Sequence, residues 1–533
     1  MRDASWVRIQ WHLRLASPDD SGGDPREFGL TGPGFDGVVP PAGVDRNGSD
    51  VVVRFNVMQG PRGLPLDDGV WQVVVTDGRA VTPLVVTAQP GELPEGRWQL
   101  GRGEYRATPA VNADGAVAIQ IELDTSIKRP RMPAPLSKRV KRFAKRWIKR
   151  RLRPVRRAVF QGVFRAARAT RPAGRPRILF TSDSNDTLTG NLRLVHDDML
   201  ERGIDRQYEL RKLLISRARR GRGLRARFRL PVELGRADVV VLDDFHPLVY
   251  QLDFDPRVKV VQLWHASGAF KTVGYSRIGR PGAPSPYGRA HKNYTHAIVS
   301  SVYEVPCYAE AFGIPESRVH PTGIPRMDRF FDPERRAANR ESTFERFPEA
   351  RGRFTILFAP TYRGHGSRGA RYDFDLLDYA GLHALCVEKD AVVIFRMHPF
   401  VRRPLLIPDE YADRLLDGSG PGIEVNDLLP AMDLLVTDYS SVVFEFAALG
   451  KPMLFFAYDL DDYVSSRGFY TPYEDFVPGP IIRTFPDLLD AIRRHDYQIE
   501  KVAAFASRHL DHVDGRSADR VVDLMMSDEV FSG

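Results

Sequence analysis

Cysteine is scarce in this chain: only Cys307 and Cys386 occur among its 533 residues. The two cysteines lie far apart and lack the spacing of metal ligands, so we expect neither a zinc-binding module nor a disulfide framework. Such sparing use of cysteine is typical of proteins that work in a reducing cytoplasm. The composition therefore argues against the class of small, disulfide-rich secreted proteins.

Long apolar runs are missing as well. No stretch of 18 or more uninterrupted apolar residues occurs, so we predict no transmembrane helix. The opening residues 1–6 contain no apolar core of a secretory signal peptide, and we expect the protein to stay inside the cell. With 533 residues, of which 43% are hydrophobic, the chain can form two to four domains with well-buried cores.

Acidic residues are absent from one long segment of the sequence. Residues 128–177 contain 20 Lys and Arg side chains but no Asp or Glu. Because the whole chain has a net charge of +9, the remainder carries a charge of about −11. The chain is thus a mildly acidic protein with one intensely basic segment.

The basic segment also has the periodicity of an amphipathic helix. The residues that we assign to a membrane-surface helix are Lys141, Arg142, Phe143, Lys145, Arg146, Trp147, Lys149 and Arg150. Aromatic side chains on one face and cations on the other fit the surface of an anionic bilayer. A linker, a packed helix and a nucleic-acid-binding run are the alternatives. We expect no nucleic-acid partner, because the rest of the chain is acidic and contains no nucleic-acid-binding module.

Two different patterns of apolar residues flank this segment. Short β-forming runs between turn-rich stretches predict a small β-rich, sandwich-like accessory domain over residues 1–126. The basic segment follows over 127–176. Beyond it, short apolar strands alternate with longer helical stretches, which predicts two α/β domains with parallel sheets, over 177–338 and 339–533.

Polar clusters follow four of the predicted strands, and functional groups in parallel sheets lie just past the carboxyl ends of the strands. These clusters contain His265 after 258–263, Thr361 and Arg363 after 354–358, His398 after 391–395, and Thr437, Asp438, Ser440 and Ser441 after 434–436. Imidazole, guanidinium and hydroxyl groups are suited to phosphate binding or to proton transfer. We therefore predict a site to which both α/β domains contribute.

The turn at residues 437–441 is the most informative of these clusters. A short apolar strand runs into small hydroxyl residues, and an apolar helix begins at once. Free backbone N–H groups, the helix dipole and two hydroxyls would converge there on an anion. An ordinary helix N-cap is the alternative interpretation.

Taken together, these clusters resemble the CDP-glycerol glycerophosphotransferases, the teichoic acid polymerases and primases of Gram-positive bacteria. The resemblance runs from about residue 177 to about residue 525 and is strongest at 437–441, 450–452, 458–459 and 467–470. Residues 323–328, of the form G-x-P-R-x-D, and Asn191 add to it. Two features depart from the family: its W-H-G-T-P-L-K-K is W-H-A-S-G-A-F-K at 264–271, and Glu445 stands where Asp is common.

The resemblance implies a GT-B-like pair of Rossmann-type domains with the site residues in defined roles. His265 would be the catalytic base, while His398 would act with Arg363, Ser440 and Ser441 on the donor pyrophosphate. Other donor-side candidates are Thr361, Thr437, Asp438 and Glu445, and the acceptor-side or supporting candidates are Lys271, Arg326 and Asn191. No metal ion and no tightly bound cofactor are expected.

The reaction implied by the resemblance moves glycerol phosphate from CDP-glycerol to the hydroxyl end of a lipid-linked teichoic acid or capsule-type polymer, with release of CMP. We expect the enzyme to be cytoplasmic and peripheral on the inner face of the cell membrane, where the basic segment would dock. A CDP-ribitol or other CDP-polyol donor, and a GT-B glycosyltransferase that uses a nucleotide sugar, remain open as alternatives.

Overall fold

The structure of the protein is a computed structural model. It describes residues 1, 3–16, 27–47, 50–76, 80–86, 93–100, 103–124, 154–171, 173–215, 224–280, 283–364, 369–420 and 422–527. The residues assigned to the membrane-surface helix, 141–150, lie outside these ranges, whereas residues 154–169 of the same basic segment form a helix. Within the described ranges, no helix has both the length and the apolar character needed to cross a membrane.

Antiparallel strands form the first unit, as the sequence predicts. The strands are β1 Asp3–Val7, β2 Gln10–Ala16, β3 Glu27–Gly32, β4 Phe35–Val39, β5 Gly43–Asn47, β6 Asp50–Asn56, β7 Gly69–Thr76, β8 Val81–Pro83, β9 Gly96–Leu100, β10 Gly103–Val111 and β11 Val117–Asp124. One sheet has the order β1-β2-β6-β5, and the other has the order β4-β3-β7-β11-β10-β9, with β8 paired to β7. Trp11 of one sheet and Trp71 of the other are buried in the same apolar core.

The first α/β unit follows the basic segment. Its strands are β12 Arg177–Ser182, β13 Glu209–Leu214, β14 Val239–Leu242, β15 Lys259–Gln262, β16 His296–Ile298 and β17 Val319–His320. Its helices are Gly190–Glu201, Leu224–Arg236 and Val305–Phe312. All neighbouring strands run parallel, in the order β13-β12-β14-β15-β16-β17. Every residue of β14 is buried, as expected for a parallel sheet that is covered on both faces.

The second α/β unit repeats this plan. Its strands are β18 Phe354–Phe358, β19 Ala391–Phe395, β20 Leu415–Asp417, β21 Leu434–Thr437, β22 Met453–Phe456 and β23 Ile481–Ile482. The helices after the first unit are Pro333–Arg346, Tyr379–Glu388, Val425–Leu428, Val442–Ala447, Leu460–Arg467, Tyr473–Phe476, Phe485–Arg494, Glu500–His509 and Ser517–Met526. The strands are again all parallel, in the order β20-β19-β18-β21-β22-β23.

Each parallel sheet has one position where the strand order reverses direction. It lies between β12 and β14 in the first sheet and between β18 and β21 in the second. Ligands of open α/β sheets bind outside the carboxyl ends of the strands at such switch points. The topology therefore marks one candidate half-site on each unit.

The two α/β units are packed together rather than merely linked. One apolar core contains side chains of both, including Phe270 and Met327 from the first unit and Phe444 and Phe476 from the second. The last helix, Ser517–Met526, packs on Gly190–Glu201 of the first unit. Arg202 at the end of that helix binds Asp519 and Asp523 at 2.7 and 2.6 Å. The last described helix thus packs on the first unit, and the predicted boundary at 338–339 stays a prediction.

Buried ion pairs attach the β-rich unit to the first α/β unit. The Arg8 guanidinium lies 2.6 Å from the fully buried carboxylate of Glu310, and Arg54 lies 2.8 Å from Glu316. In each pair one side chain is buried and the other is partly exposed, and loss of the exposed partner would leave an uncompensated buried charge. These pairs therefore hold the two units in one fixed arrangement.

Gly268 lies where the two α/β units meet, and its substitution should separate them. Its φ is +72°, and an added Cβ would lie 1.8 Å from Cζ of Phe444. Phe444 is itself fully buried, so its ring cannot move aside without opening the contact between the units. We expect Gly268→Ala to lower the free energy of unfolding by about 2–4 kcal/mol, as measured by urea denaturation.

Gly352→Ala is the matched control for this substitution. Gly352 has a similar φ of +78°, but an added Cβ would meet no heavy atom within 4 Å. Gly352→Ala should therefore lower the free energy of unfolding only by the cost of the left-handed backbone conformation, on the order of 1 kcal/mol. Equal losses in the two variants would contradict the steric explanation.

Candidate active site

The carboxylate of Asp438 is the centre of the half-site on the second sheet. Asp438 follows β21 and is only 1% exposed. Its Oδ1 accepts the backbone N–H groups of Thr361 at 2.7 Å and Tyr439 at 2.5 Å, and its Oδ2 accepts a hydrogen bond from Arg363 at 2.8 Å. Asp438 thus joins the residues that follow β18 to the turn that follows β21.

Arg363 is held between two carboxylates. Besides Asp438, it donates to both oxygens of Asp459, at 2.5 and 2.8 Å. Its guanidinium also lies about 5 Å from the ring centroids of Tyr439, Tyr458 and Tyr463. Although burial opposes the charge, Asp438 and Asp459 raise the pKa of Arg363 above its usual range. Arg363 therefore remains a cation, but its donors are already engaged.

A cavity of about 750 Å³ opens beside this network. Its described lining is rich in arginine, tyrosine and aspartate, and consists of Tyr362, Arg363, Gly364, Ala370, Arg371, Tyr372, Asp373, Arg403, Tyr458, Asp459, Asp462, Tyr463 and Arg467. A volume of this size matches the usual range of small-molecule and cofactor sites. Cationic and aromatic groups on one wall are the chemistry that a nucleotide diphosphate requires.

The turn after β21 uses its hydroxyls unequally. The Thr437 hydroxyl is buried and donates to the carbonyl oxygen of Ala359 at 2.7 Å, so it joins two strand ends. Ser440 Oγ accepts the N–H of Val442 at 3.4 Å, whereas Ser441 is exposed. The following helix, Val442–Ala447, has only six residues, so the anion site predicted here depends on the turn more than on a helix dipole.

His398 stands at the end of β19 in a defined tautomer. Its Nδ1 accepts the N–H of Phe400 at 3.1 Å, so the proton of the neutral ring is on Nε2. Burial, followed by the charges of Lys271 and Arg396, lowers the pKa of His398. At neutral pH this imidazole is therefore a neutral hydrogen-bond donor through Nε2.

Lys271 comes from the first unit but joins the half-site of the second. Its backbone pairs with Phe469, and the neighbouring Phe270 carbonyl accepts the N–H of Tyr470 at 3.0 Å. Its ammonium lies 5.5 Å from the ring centroid of Tyr463. Burial lowers the pKa of Lys271 to about 8, although the nearby charge of Asp438 opposes this shift. The segment 264–271 thus reaches across the interface to the half-site on the second sheet.

His265 belongs to the half-site on the first sheet. Its Nδ1 lies 3.3 Å from Oδ1 of Asp244, and the imidazole is 54% exposed. Asp243 and Asp244 follow β14, while Ser182 ends β12. These groups therefore surround the switch point between β12 and β14.

Asn191, Arg326 and Glu445 form a chain of contacts between the two half-sites. The Asn191 amide donates to the carbonyl oxygens of Leu263 and Trp264 at 3.1 and 2.8 Å, and its Oδ1 accepts the Arg326 N–H at 2.9 Å. The Arg326 side chain pairs with the buried carboxylate of Glu445. The turn that carries His265 is thereby connected to the helix after Ser441.

The structure therefore places the predicted residues in two half-sites, one on each parallel sheet, and gives several of them protein partners. Arg363, Thr437, Glu445, Arg326 and Asn191 are engaged within the fold, and their roles toward a substrate stay predictions. Sequence reasoning missed Asp244 and assigned no role to Asp459. Asp243 and Asp244 follow the predicted strand 239–242, so the rule that found His265 could have found them.

In the described part of the chain, no group of three or more His, Cys, Asp or Glu has an arrangement that could hold a metal ion. The expectation that the reaction needs no bound metal stays a prediction.

Comparison with known proteins identifies the family. The family model described as CDP-Glycerol:Poly(glycerophosphate) glycerophosphotransferase matches residues 163–527. The chain belongs to this family. The resemblance inferred from the strand-end clusters is thereby confirmed.

Relatives in this family differ in the polyol phosphate that their names specify, ribitol phosphate or glycerol phosphate. The teichoic acid ribitol-phosphate polymerase TarK of Staphylococcus aureus is 45% identical over 345 residues, which are 65% of this chain and 67% of that protein. The teichoic acid poly(ribitol-phosphate) polymerase of Bacillus spizizenii is 41% identical over 352 residues, 66% of this chain and 56% of that protein. A teichoic acid glycerol-phosphate primase of Bacillus subtilis is 26% identical over 291 residues, 54% of this chain and 73% of that protein.

The solved structure of the wall teichoic acid polymerase TagF has the same fold. It superposes with a TM-score of 0.56 at 21% identity, over 75% of this chain and 99% of that one. This likeness confirms the predicted GT-B-like pair of Rossmann-type domains. The chain spans only 56–67% of the length of the ribitol-phosphate polymerases named above.

Lys271 gives a prediction for the pH dependence of stability. Its pKa is about 8 in the folded protein and 10.5 ordinarily, so the unfolded chain binds more protons between these values. Stability therefore rises with pH from about 8 to 10.5, and below pH 8 the buried ammonium lowers it. We expect Lys271→Met to raise the free energy of unfolding at pH 7 by on the order of 1–3 kcal/mol.

The gain in unfolding free energy of Lys271→Met should fade as the pH rises through 8 toward 10.5. Urea denaturation at several pH values measures it. Lys212→Met, at an exposed lysine of the first sheet, is the control and should give a difference that does not change with pH. A gain at Lys271 that is equally independent of pH would show that packing, rather than charge burial, is responsible.

Proposed function

We propose that this protein transfers a polyol phosphate from a CDP-activated donor to the hydroxyl end of a teichoic acid-type polymer, releasing CMP. Family membership supports the reaction class. The single structural observation that supports the proposal is the reach of one segment from the first sheet to the second: His265 lies beside Asp244 at the switch point of the first sheet, and Lys271, six residues later, lies beside Tyr463 and the Asp438 network of the second.

The polyol is proposed to be ribitol. Relatives named as ribitol-phosphate polymerases share 41–45% identity with this chain, whereas the glycerol-phosphate primase shares 26%. The family description names glycerol, and CDP-glycerol was the donor expected from the sequence. CDP-glycerol is therefore the second candidate donor. Its pyrophosphate and its CMP leaving group are the same as those of CDP-ribitol.

The chemistry is a substitution at the phosphorus that carries the polyol. His265 accepts the proton of the acceptor hydroxyl, whose oxygen forms a bond to this phosphorus. The bond from phosphorus to the bridging oxygen breaks, and CMP leaves with that oxygen. A positioned base contributes about 10²–10⁴-fold to such a rate. No tightly bound cofactor takes part in these steps.

The second half-site stabilises the charge that moves onto CMP. His398 donates through Nε2, and Lys271, whose pKa of about 8 leaves it protonated at neutral pH, supplies a positive charge. Arg363 adds a fixed cation, and the turn with Ser440 and Ser441 supplies hydroxyl and backbone donors. Preorganised donors of this kind contribute about 10²–10³-fold each. The Asp438 carboxylate orients this group and does not transfer a proton.

The donor is tested by measuring CMP release with CDP-ribitol, CDP-glycerol and common nucleotide sugars, each with a short soluble acceptor. We expect kcat/KM with CDP-ribitol to exceed that with CDP-glycerol by at least about tenfold. His265→Ala and His398→Ala should each lower kcat by about 10²–10⁴-fold.

His383→Ala is the control for these variants, because His383 pairs with Asp413 away from the site and should retain activity within about twofold. A preference for CDP-glycerol would overturn the choice of ribitol. Turnover of nucleotide sugars alone would instead identify a glycosyltransferase.

We further propose that the protein works at the cytoplasmic face of the membrane, docked by its basic segment to anionic lipid. The described helix at 154–169 supports this, since Val155 and Val159 are 57% and 48% exposed beside exposed Arg156 and Arg157. Attraction to anionic lipid contributes about 1 kcal/mol per Lys or Arg near the surface. A fraction of the 20 cations in residues 128–177 is therefore sufficient.

Membrane docking is tested by replacing Lys141, Arg142, Lys145, Arg146, Lys149 and Arg150 with Gln. Binding to phosphatidylglycerol vesicles should fall at least about 100-fold, because several lipid-facing charges are lost. Activity on a soluble acceptor should be unchanged. Neutral phosphatidylcholine vesicles are the control and should bind neither protein. Wild-type protein that ignores anionic vesicles at low salt contradicts the proposal.

A further inference from the structure

We infer that Asp244 is a positioning residue that orients the His265 imidazole for removal of the acceptor proton, an inference that rests on the proposed role of His265 as the base. Asp244 follows β14 and His265 follows β15, and these strands are neighbours in the first sheet. Their side chains therefore leave the same sheet edge, where Oδ1 of Asp244 lies 3.3 Å from Nδ1 of His265.

The carboxylate is itself held in place. The N–H of Phe245 donates to Oδ1 of Asp244 at 2.6 Å, and the Ser184 hydroxyl donates to Oδ2. The Asp244 side chain is 27% exposed, against 54% for His265. The acid is thus the fixed, more buried partner, and the imidazole is the one that reaches toward solvent and substrate.

Gln262 connects the backbone of both partners. Its amide nitrogen donates to the Asp244 carbonyl oxygen at 3.2 Å, and its amide oxygen accepts the N–H of Trp264 at 2.8 Å. Trp264 has a φ of +52°, a conformation that costs free energy for a bulky residue and persists only where its surroundings impose it. The turn before His265 is therefore fixed relative to Asp244 by the fold.

This geometry assigns the two ring nitrogens of His265. Because Nδ1 faces a carboxylate, it holds the proton of the neutral ring, and Nε2 is left to accept the proton of the acceptor hydroxyl. When that proton arrives, the ring becomes a cation whose charge Asp244 stabilises. The same arrangement of acid, imidazole and hydroxyl occurs in other enzymes that activate an oxygen nucleophile.

The acid stays ionised in the working range. Burial alone would raise the pKa of Asp244, but the hydrogen bond and charge of His265, together with the bonds from Ser184 and Phe245, lower it to about 2. The carboxylate is therefore the partner that keeps its charge while the imidazole takes up and releases the proton.

Three other titratable groups lie within electrostatic range of Asp244. Burial lowers the pKa of His291 to about 4 and raises that of Tyr294 well above its usual range, so both are neutral at neutral pH. Burial also raises the pKa of the Asp243 carboxyl. Asp244 is thus the group in direct contact with His265 whose loss should alter the pH profile.

The test compares Asp244→Asn with wild type in CMP release, using the preferred donor over pH 5–9. We expect kcat to fall about 10–100-fold, while KM for the donor stays within about twofold, because the change affects the base and not donor binding. The acidic limb of the kcat/KM profile should move to lower pH by about one pH unit, since a neighbouring negative charge is lost.

Two further variants separate charge from geometry. Asp244→Glu keeps the charge and should return the acidic limb close to wild type while kcat remains reduced. Asp244→Ser is a second neutral variant, in case Asn destabilises the fold, and should repeat the shift seen with Asn. Asp253→Asn, which removes a surface ion pair with Arg289, is the control and should leave both quantities unchanged.

The outcomes distinguish this inference from the function on which it rests. If His265→Ala is inactive but Asp244→Asn and Asp244→Ser keep the wild-type kcat and pH profile, the positioning role is overturned and the base survives. If His265→Ala retains activity, the proposed base itself is wrong. A fall in kcat with an unshifted acidic limb in both neutral variants would indicate a merely structural role and would also overturn the inference.

Discussion

The half-site on the second sheet depends on one group, the buried carboxylate of Asp438. It accepts two backbone N–H groups and one guanidinium bond, and through Arg363 it is joined to Asp459 beyond β22. Three strand ends of the second sheet are thereby held together. A carboxylate this buried is stable only when such donors surround it, so the turn, the arginine and the cavity form one unit.

The half-site on the first sheet is held together in a different way. Its groups are more exposed, and the turn that carries His265 is fixed by side-chain amides, those of Asn191 and Gln262, rather than by a buried charge. Arg326 and Glu445 then connect this turn to the second unit. An imidazole that is held through its backbone while its ring stays open to solvent suits the proposed role of His265 toward a large polymeric acceptor.

Contact between the two halves is dense where two family motifs meet. The segment 270–272 pairs with 468–470, and Gly268 lies against Phe444. The absence of a side chain at residue 268 is what allows this approach. This chain departs from the usual family motif at residues 266–270, which lie at this interface. They precede Lys271 in the chain and are not among the residues that line the cavity.

Periodicity along the chain was enough to predict the class of each unit and the central strands of both parallel sheets, because burial on both faces gives continuous apolar runs such as 239–242 and 391–395. It was also enough to predict that His265, His398 and Asp438 follow strand ends. The short edge strands β13, β17, β20 and β23 were not predicted, and neither were the pairs that the fold forms: Arg363 with Asp438 and Asp459, Arg326 with Glu445, and His265 with Asp244. The fold also has a turn at Arg8, whose φ is +58°, within a run of β-forming residues. The chain reverses there, and Arg8 pairs with Glu310. Spacing along a chain reports local periodicity, whereas these pairs join residues 21 to 302 positions apart, and their distances are set by how sheets and units pack.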